Sequence, residues 1–338
     1  MTRGLSQLAG LFAAVVAVCL ASAASARCTV RATNVSTLSF NTGTYTPPAA
    51  PVAQLLAYTV SGTYNTDNDT SAPLCTVGIS FNRASLPASM ARSGGGATLP
   101  YTIQTLPGGG NTVLFTGGGN PTAAQLATAS FSQAGTNLTN VPFSVLINLY
   151  FLVQPGSPQR EGAYTDAPVL NAYNVRQGTG ALSNRATGTF NVSGTVAKAC
   201  TIGGVASPAI DTANIPVNAA GVVDTSVIAR SYLTVVCNAL TNLQATSTGG
   251  GVKRAAAAPG GFSHIINYTA VATFGGATST VNTATVGTAV AAEAGSIGTT
   301  SAATSSGTLG VTITPQTPGQ PLVSGSYSDV LRIQLTPQ

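Results

Sequence analysis

Gly325-Ser326-Tyr327-Ser328-Asp329-Val330-Leu331-Arg332-Ile333-Gln334-Leu335 stands just before Gln338, the last residue of the sequence. Leu331, Ile333 and Leu335 alternate with Val330, Arg332 and Gln334, the period-2 pattern of a half-buried β-strand. The same device stands earlier, where Gly162-Ala163-Tyr164-Thr165-Asp166 leads into Val169, Leu170, Tyr173 and Val175. A Gly-x-Tyr-x-Asp element that twice introduces an apolar strand points to one domain used twice. The interval from Cys75 to Gly162 is one position shorter than that from Cys237 to Gly325, and Arg92 and Arg254 follow their cysteines at the same interval. A Tyr-Thr pair, at Tyr101 and at Tyr268, precedes each glycine at intervals that differ by only four positions. Four landmarks in one order at near-equal spacing define a repeat of roughly 140 to 160 residues, an ordinary domain size.

Residues 1–26 read as a secretory signal: Arg3, an apolar run from Leu8 to Leu20, and a small-x-small cleavage site at Ala24-Ser25-Ala26. The mature chain is then expected to start at Arg27, and no later segment holds 18 consecutive apolar residues. Without Arg3 the chain carries 12 basic and 8 acidic side chains, a net charge of +4, with no Lys/Arg cluster, which gives nucleic-acid binding no support. Only 6% of residues are charged, against about 25% in average soluble domains. Thr and Val take up much of the difference and favour strands, while Gly, Pro and Asn mark turns, so the expected class is all-β.

Four cysteines remain after cleavage, two per repeat: Cys28 and Cys75, Cys200 and Cys237. Three connectivities are possible, and the duplication together with export favours pairing within each repeat. Metal binding is disfavoured, because there is no Cys-x-x-Cys and His264 is the single histidine. The enzyme reading fares badly too: one His, eight acidic residues and no Gly-x-Ser-x-Gly or phosphate loop leave little for acid/base or nucleophilic chemistry. No catalytic residue, metal or cofactor is expected. Asp166 and Asp329, both two residues after the motif tyrosine, are expected to be structural.

Along the chain, Val35–Tyr45, Tyr58–Tyr64, Cys75–Phe81, Tyr101–Thr105 and Val145–Val153 read as strands of the first repeat. The last is a nearly continuous apolar run, expected to be covered on both faces. Asp67-Asn68-Asp69 reads as a solvated turn, Gln177–Ala186 as a linker, and the low-complexity stretch Gly275–Gly307 as short strands built on small residues. Within Thr189–Val196, Phe190, Val192 and Val196 share one face, with Gly194 in the register. The boundaries follow: signal 1–26, first domain 27–180, linker and donor-like strand 181–199, second domain 200–338.

The order Cys…Cys…Arg…Tyr-Thr…Gly-x-Tyr-x-Asp, ending in an apolar strand, resembles the spore coat U domain family. Its members include the subunits of archaic, Csu-type chaperone–usher pili. The resemblance implies two immunoglobulin-like β-sandwich domains of the incomplete kind. In these the missing last strand is supplied first by a periplasmic chaperone and then by the neighbouring subunit, donor-strand complementation. It also implies an outer-membrane usher and an adjacent pilin as partners. The acceptor groove would be bordered by Leu331, Ile333 and Leu335.

A shaft subunit of this type carries an alternating donor segment before its first cysteine. The second repeat has one in Phe190, Val192 and Val196, whereas a single residue is expected before Cys28. That asymmetry, together with the two domains, is similar to the tip adhesins of Csu-type pili. Such a protein is exported through the periplasm of a Gram-negative bacterium to the pilus tip, where it binds abiotic or host surfaces and promotes biofilm formation. Residues 189–196 either complement the first repeat in cis or form the first strand of the second. The resemblance further implies apolar binding loops in the first repeat, with Val52, Leu55, Leu56, Leu86, Met90, Val113, Leu114 and Phe115 as candidates; the competing reading places these side chains in the core. The alternatives to a tip adhesin are a secreted coat or matrix protein and a carbohydrate-binding module on the same fold.

Overall fold

The computed structural model describes residues 28–338, apart from 36, 47–52, 67–73, 85, 108–113, 133–136, 154–158, 177–178, 204–209, 286–292 and 304. The fold is all-β, with two short 3₁₀ turns, at Ala123–Gln125 and Thr283–Thr285, as the only helical elements among the described residues. The expected signal and the Asp67-Asn68-Asp69 turn lie outside them.

The first half contains strands β1 (Cys28–Asn34), β2 (Leu38–Tyr45), β3 (Gln54–Thr66), β4 (Leu74–Asn82), β5 (Ser89–Arg92) and β6 (Thr98–Gln104). They are followed by β7 (Phe115–Thr116), β8 (Ala127–Ser132), β9 (Val141–Val153), β10 (Gly162–Asp166), β11 (Val169–Val175) and β12 (Leu182–Val196). Hydrogen bonding runs in the order β1-β3-β9-β6-β5-β10-β12-β11-β4-β7, with β2 added to β12 and β8 to β4. The ribbon folds over so that β3, β9 and β6 face β4, β11 and β12 across one core. Alternation decides which side chains enter it. Along β3, Leu56, Tyr58 and Val60 are buried while Leu55, Ala57 and Thr59 are exposed. Strand β9 alternates in the same way, with Leu146 58% exposed, so only one of its faces is covered and the two-faced expectation is corrected. Residues 182–186 already belong to β12, so that part of the expected linker is strand.

The second half contains β13 (Cys200–Thr201), β14 (Ile228–Cys237), β15 (Thr241–Ser247), β16 (Val252–Arg254), β17 (Ile265–Ile266) and β18 (Tyr268–Phe274). It closes with β19 (Ala277–Asn282), β20 (Glu293–Thr299), β21 (Ser305–Pro315), β22 (Tyr327–Ser328) and β23 (Leu331–Pro337). A sheet β13-β14-β21-β18-β19 faces a sheet β20-β15-β23, and β17-β16-β22 lies beside them. Small residues let the layers approach closely: Ala245, Ala270, Ala272, Ala277 and Ser279 are all buried. A Cβ on Gly295 of β20 would lie 2.5 Å from the Thr280 carbonyl oxygen of β19. Gly295 and Ser279 of this stretch therefore serve packing, and its described residues include short strands.

Candidate functional site

The repeated motif builds the same support twice. Tyr101 of β6 donates its hydroxyl to Asp166 Oδ2 at 2.7 Å, and Tyr268 of β18 does the same to Asp329 Oδ2 at 2.6 Å. The middle tyrosine of each motif reaches back four residues: Tyr164 donates to the Arg160 carbonyl at 2.6 Å, and Tyr327 to that of Val323 at 2.7 Å. This is the tyrosine-corner arrangement of immunoglobulin-like sandwiches. Gly162 and Gly325 have φ of +127° and +147°, and a Cβ on either would meet the Nε of Arg92 at 2.9 Å or of Arg254 at 2.7 Å. Glycine, arginine, the two tyrosines and aspartate thus form one bracket in each half, fixing where the next strand leaves. Burial, and then the bond to the aspartate, push the Tyr101 and Tyr268 hydroxyls far above their ordinary titration range. Asp166 also pairs with Arg83 at 3.1 Å, while Asp329 accepts from Ser247 Oγ and the Gly249 N–H.

The strands that leave these brackets, β11 and β23, have different neighbours. β11 lies between β4 and β12, and its Leu170 and Ala172 are fully buried. β12 then continues past β11 and runs between β10, to which it is antiparallel, and β2, to which it is parallel. Its Phe190, Val192 and Val196 are at most 1% exposed and belong to the first core, with the Phe190 ring 5.1 Å from that of Phe81. β23 takes the place of β11, but among the described residues it pairs with β15 alone. Leu331, Ile333 and Leu335 pack on the second core beside Ala245 and Leu243 and remain half-buried, with no described strand over their other side. The candidate site is this free edge and the half-buried apolar side chains beside it.

Residues 210–217 correspond to β2 by their spacing from the first cysteine and by their contacts with the following strand. Leu38 opens β2 ten residues after Cys28, and Ile210 lies ten residues after Cys200. Gln54 at the start of β3 donates to the Thr42 carbonyl of β2 at 2.8 Å; Arg230 near the start of β14 donates to the Thr212 carbonyl at 3.1 Å. Asp211 pairs with Arg230 at 3.2 Å and accepts from the Tyr232 hydroxyl. Without a strand to pair with, this segment leaves Ile210 93% exposed. Its equal spacing from the first cysteine is the sequence signal that locates it, and sequence reading missed it.

Of the eight candidates for apolar binding loops, Leu56, Met90, Leu114 and Phe115 are buried in the first core, a correction with a clear cause. Strand β3 starts early enough to turn Leu56 inward, and Leu114 is tied by its N–H to the Ile103 carbonyl, with Phe115 packed on Phe81 and Tyr101. Leu55 and Leu86 are 56% and 51% exposed, the first opposite Tyr150 on an outer sheet face and the second beside Gly117. Val52 and Val113 lie outside the described residues. The cysteines pair as Cys28–Cys75 and Cys200–Cys237.

No protein-family model matches the sequence, and no curated protein matches it. Solved structures resemble the fold. A chain from the chaperone–tip adhesion subunit pre-assembly complex CsuC–CsuE, of the archaic chaperone–usher Csu pili of Acinetobacter baumannii, is 13% identical, with a TM-score of 0.39 over 91% of this chain and 99% of that one. The CupB6 tip adhesin from Pseudomonas aeruginosa is 10% identical, with a TM-score of 0.28 over 91% and 92%. CfaE, the adhesive subunit of CFA/I fimbria of enterotoxigenic Escherichia coli, is 13% identical, with a TM-score of 0.25 over 88% and 97%. At these values the neighbours describe themselves, and the role of this chain is read from its own open edge.

Proposed function

We propose that the chain is a pilus tip subunit of the archaic chaperone–usher type, built from two domains of the spore coat U kind. Residues 27–180, closed by the strand within 181–199, form the adhesive domain. Residues 200–338 form the domain through which a neighbour anchors it. One observation carries this reading: β11 is flanked on both edges, while β23, delivered by the same bracket, is paired on one edge only among the described residues. An edge of this length beside half-buried apolar side chains is a template for an incoming strand. Finishing the burial of Leu331, Ile333 and Leu335 would add roughly 3 kcal/mol, besides the backbone hydrogen bonds. The partners are a periplasmic chaperone, then an outer-membrane usher and the adjacent pilin. The first domain contacts an abiotic or host surface and so promotes biofilm formation, with Leu55 and Leu86 as the exposed apolar candidates among the described residues, beside Val52 and Val113 outside them.

The test is to express residues 27–338 in the periplasm with and without a pilus chaperone and to follow hydrogen exchange at Leu331, Ile333 and Leu335, whose N–H groups alternate with those directed at β15 and face the open edge. The expected result is a one-to-one complex, with fast exchange of these amides whenever the chaperone is absent. A soluble chain in which these three outward-facing amides are already protected without any partner would refute it.

A second reading of the first domain has its own observation. A hollow of about 630 Å³ is lined by Ser39, Asn41, Thr165, Asp166, Asn191 and Ser193 together with apolar Phe40, Ala167 and Val192, a mix of polar groups and apolar surface that a saccharide could use. A glycan array separates the two: binding that Asn191→Ala abolishes would favour the saccharide.

A further inference from the structure

We infer that the two sandwiches form one rigid body in the free chain, whatever occupies the open edge, and that Asn238 is the positioning residue that locks them together. Two domains of one chain move relative to each other by default. Here the link between β12 and β13 is only Ala197–Ala199, and it meets a second segment, the turn between β14 and β15 that begins at Asn238. Turns ordinarily face solvent, yet Asn238 and Ala239 are each 1% exposed.

Each polar group of Asn238 is engaged. Its N–H donates to the Ala199 carbonyl at 3.1 Å, and its Oδ1 accepts the Ala199 N–H at 2.7 Å. These bonds stand beside the Cys200–Cys237 disulfide and hold the start of the second sandwich. The other two cross to the first sandwich: Nδ2 donates to the Ala197 carbonyl at 2.8 Å, and the Asn238 carbonyl accepts the Glu161 N–H at 3.0 Å. One carboxamide thus reads a carbonyl and an N–H together; a carboxylate has no donor for the first. Breaking such bonds in a buried turn leaves groups that nothing else satisfies.

The partners in the first sandwich are themselves held. The Ala197 N–H donates to the Tyr45 carbonyl at the end of β2, at 2.8 Å. Arg92 grips Glu161, with Nε donating to its carbonyl at 2.5 Å and Nη2 pairing with its Oε1 at 2.9 Å. The ends of β2 and β12 and the start of β10 therefore converge on Asn238, and these three strands also carry residues that line the hollow. A rigid joint fixes the direction in which that hollow faces relative to the open edge. The sandwich itself does not call for asparagine here. After the corresponding cysteine of the first sandwich stands Thr76, whose hydroxyl bonds with Ser130 Oγ at 2.8 Å on an exposed face.

The experiment records residual dipolar couplings of residues 27–338 in a dilute aligning medium for the native chain, Asn238→Ala and Asn238→Thr. The first variant removes both side-chain bonds, and the second installs the residue that the first sandwich has in this place. In the native chain, couplings from β3 and β9 and from β14 and β21 should fit one alignment tensor. In both variants each half should still fit a tensor of its own, but no longer the same one, and the Glu161 amide should exchange at least about tenfold faster. If the native chain already needs two tensors, there is no rigid joint. If the variants keep a single tensor, the joint holds without the Asn238 side chain and its role as the lock is wrong. If both variants unfold the second sandwich, Asn238 supports that sandwich rather than the joint, and its assignment falls as well.

Discussion

Replacing Phe190 and Val192 together by aspartate should unfold the first sandwich and leave the second intact. Both side chains are at most 1% exposed, in a core that also contains Phe81, Leu170 and Tyr164. Truncating Phe190 alone to alanine would cost about 3–5 kcal/mol, and removing the Val192 methyls about 1–2 more, less any coupling between neighbours on one strand. Aspartate adds the penalty of placing an unpaired carboxylate where nothing can solvate it. The sum approaches or exceeds the roughly 5–15 kcal/mol that holds a typical domain together. Trypsin reports the outcome locally. Arg83 and Arg92 are held by contacts with Asp166 and Glu161 in the first sandwich, whereas Lys253 and Arg254 lie in β16 of the second. Cleavage should become fast at Arg83 and Arg92 and stay slow at Lys253 and Arg254. Unchanged resistance at Arg83 and Arg92 would mean that the first sandwich is complete without β12, and complementation in cis would be wrong.

Ile333→Asp, on the open edge, should leave thermal unfolding of the first sandwich unchanged and reduce recovery of a co-expressed chaperone complex at least about tenfold; equal recovery would move the acceptor site elsewhere. Gly325→Ala forces a side chain onto φ +147° and against Arg254, and should lower the stability of the second sandwich by about 1–3 kcal/mol in denaturant titrations, as Gly162→Ala should in the first. Alkaline pH tests the tyrosine–aspartate bonds. Tyr101 and Tyr268 titrate well above their ordinary value of 10.0 when folded, so the stability they contribute is fully present below pH 10 and is lost as pH rises beyond it. Between pH 9 and pH 11 each sandwich should weaken by up to about 1.4 kcal/mol through this group, and Tyr101→Phe or Tyr268→Phe should remove that dependence from its own half.

The strand pattern and the duplication are legible in the sequence because both rest on local features: alternation, and landmarks repeated at fixed spacing. The reason for the landmarks is not. Arg92 and Gly162 are far apart along the chain, and only folding brings the guanidinium over the missing side chain. Leu114 and Phe115 between glycines look like a surface loop for the same reason, since nothing local announces that the Ile103 carbonyl and the Phe81 ring await them. For Thr189–Val196 the pattern identifies a strand suited to filling a groove. Which groove it fills depends on the parallel pairing with β2, a contact between segments at opposite ends of the first domain.

The two cores differ in kind, and the difference bears on why only one edge is left open. Among the described residues the first core holds 29 buried apolar residues, including Phe81, Phe151, Tyr101 and Phe190; the second holds 12, four of them alanines. A sandwich with so little apolar surface to bury, and with Leu331, Ile333 and Leu335 half-covered, has a narrow margin over the entropy of folding. A strand that binds the folded form and not the unfolded one stabilises it by mass action. In the proposed role, the first sandwich is completed by its own hairpin, whereas the second, folded but marginal alone, gains stability as its neighbour arrives. In the proposed role this couples folding to assembly, so that a tip domain is presented on a firm anchor only where a shaft stands behind it.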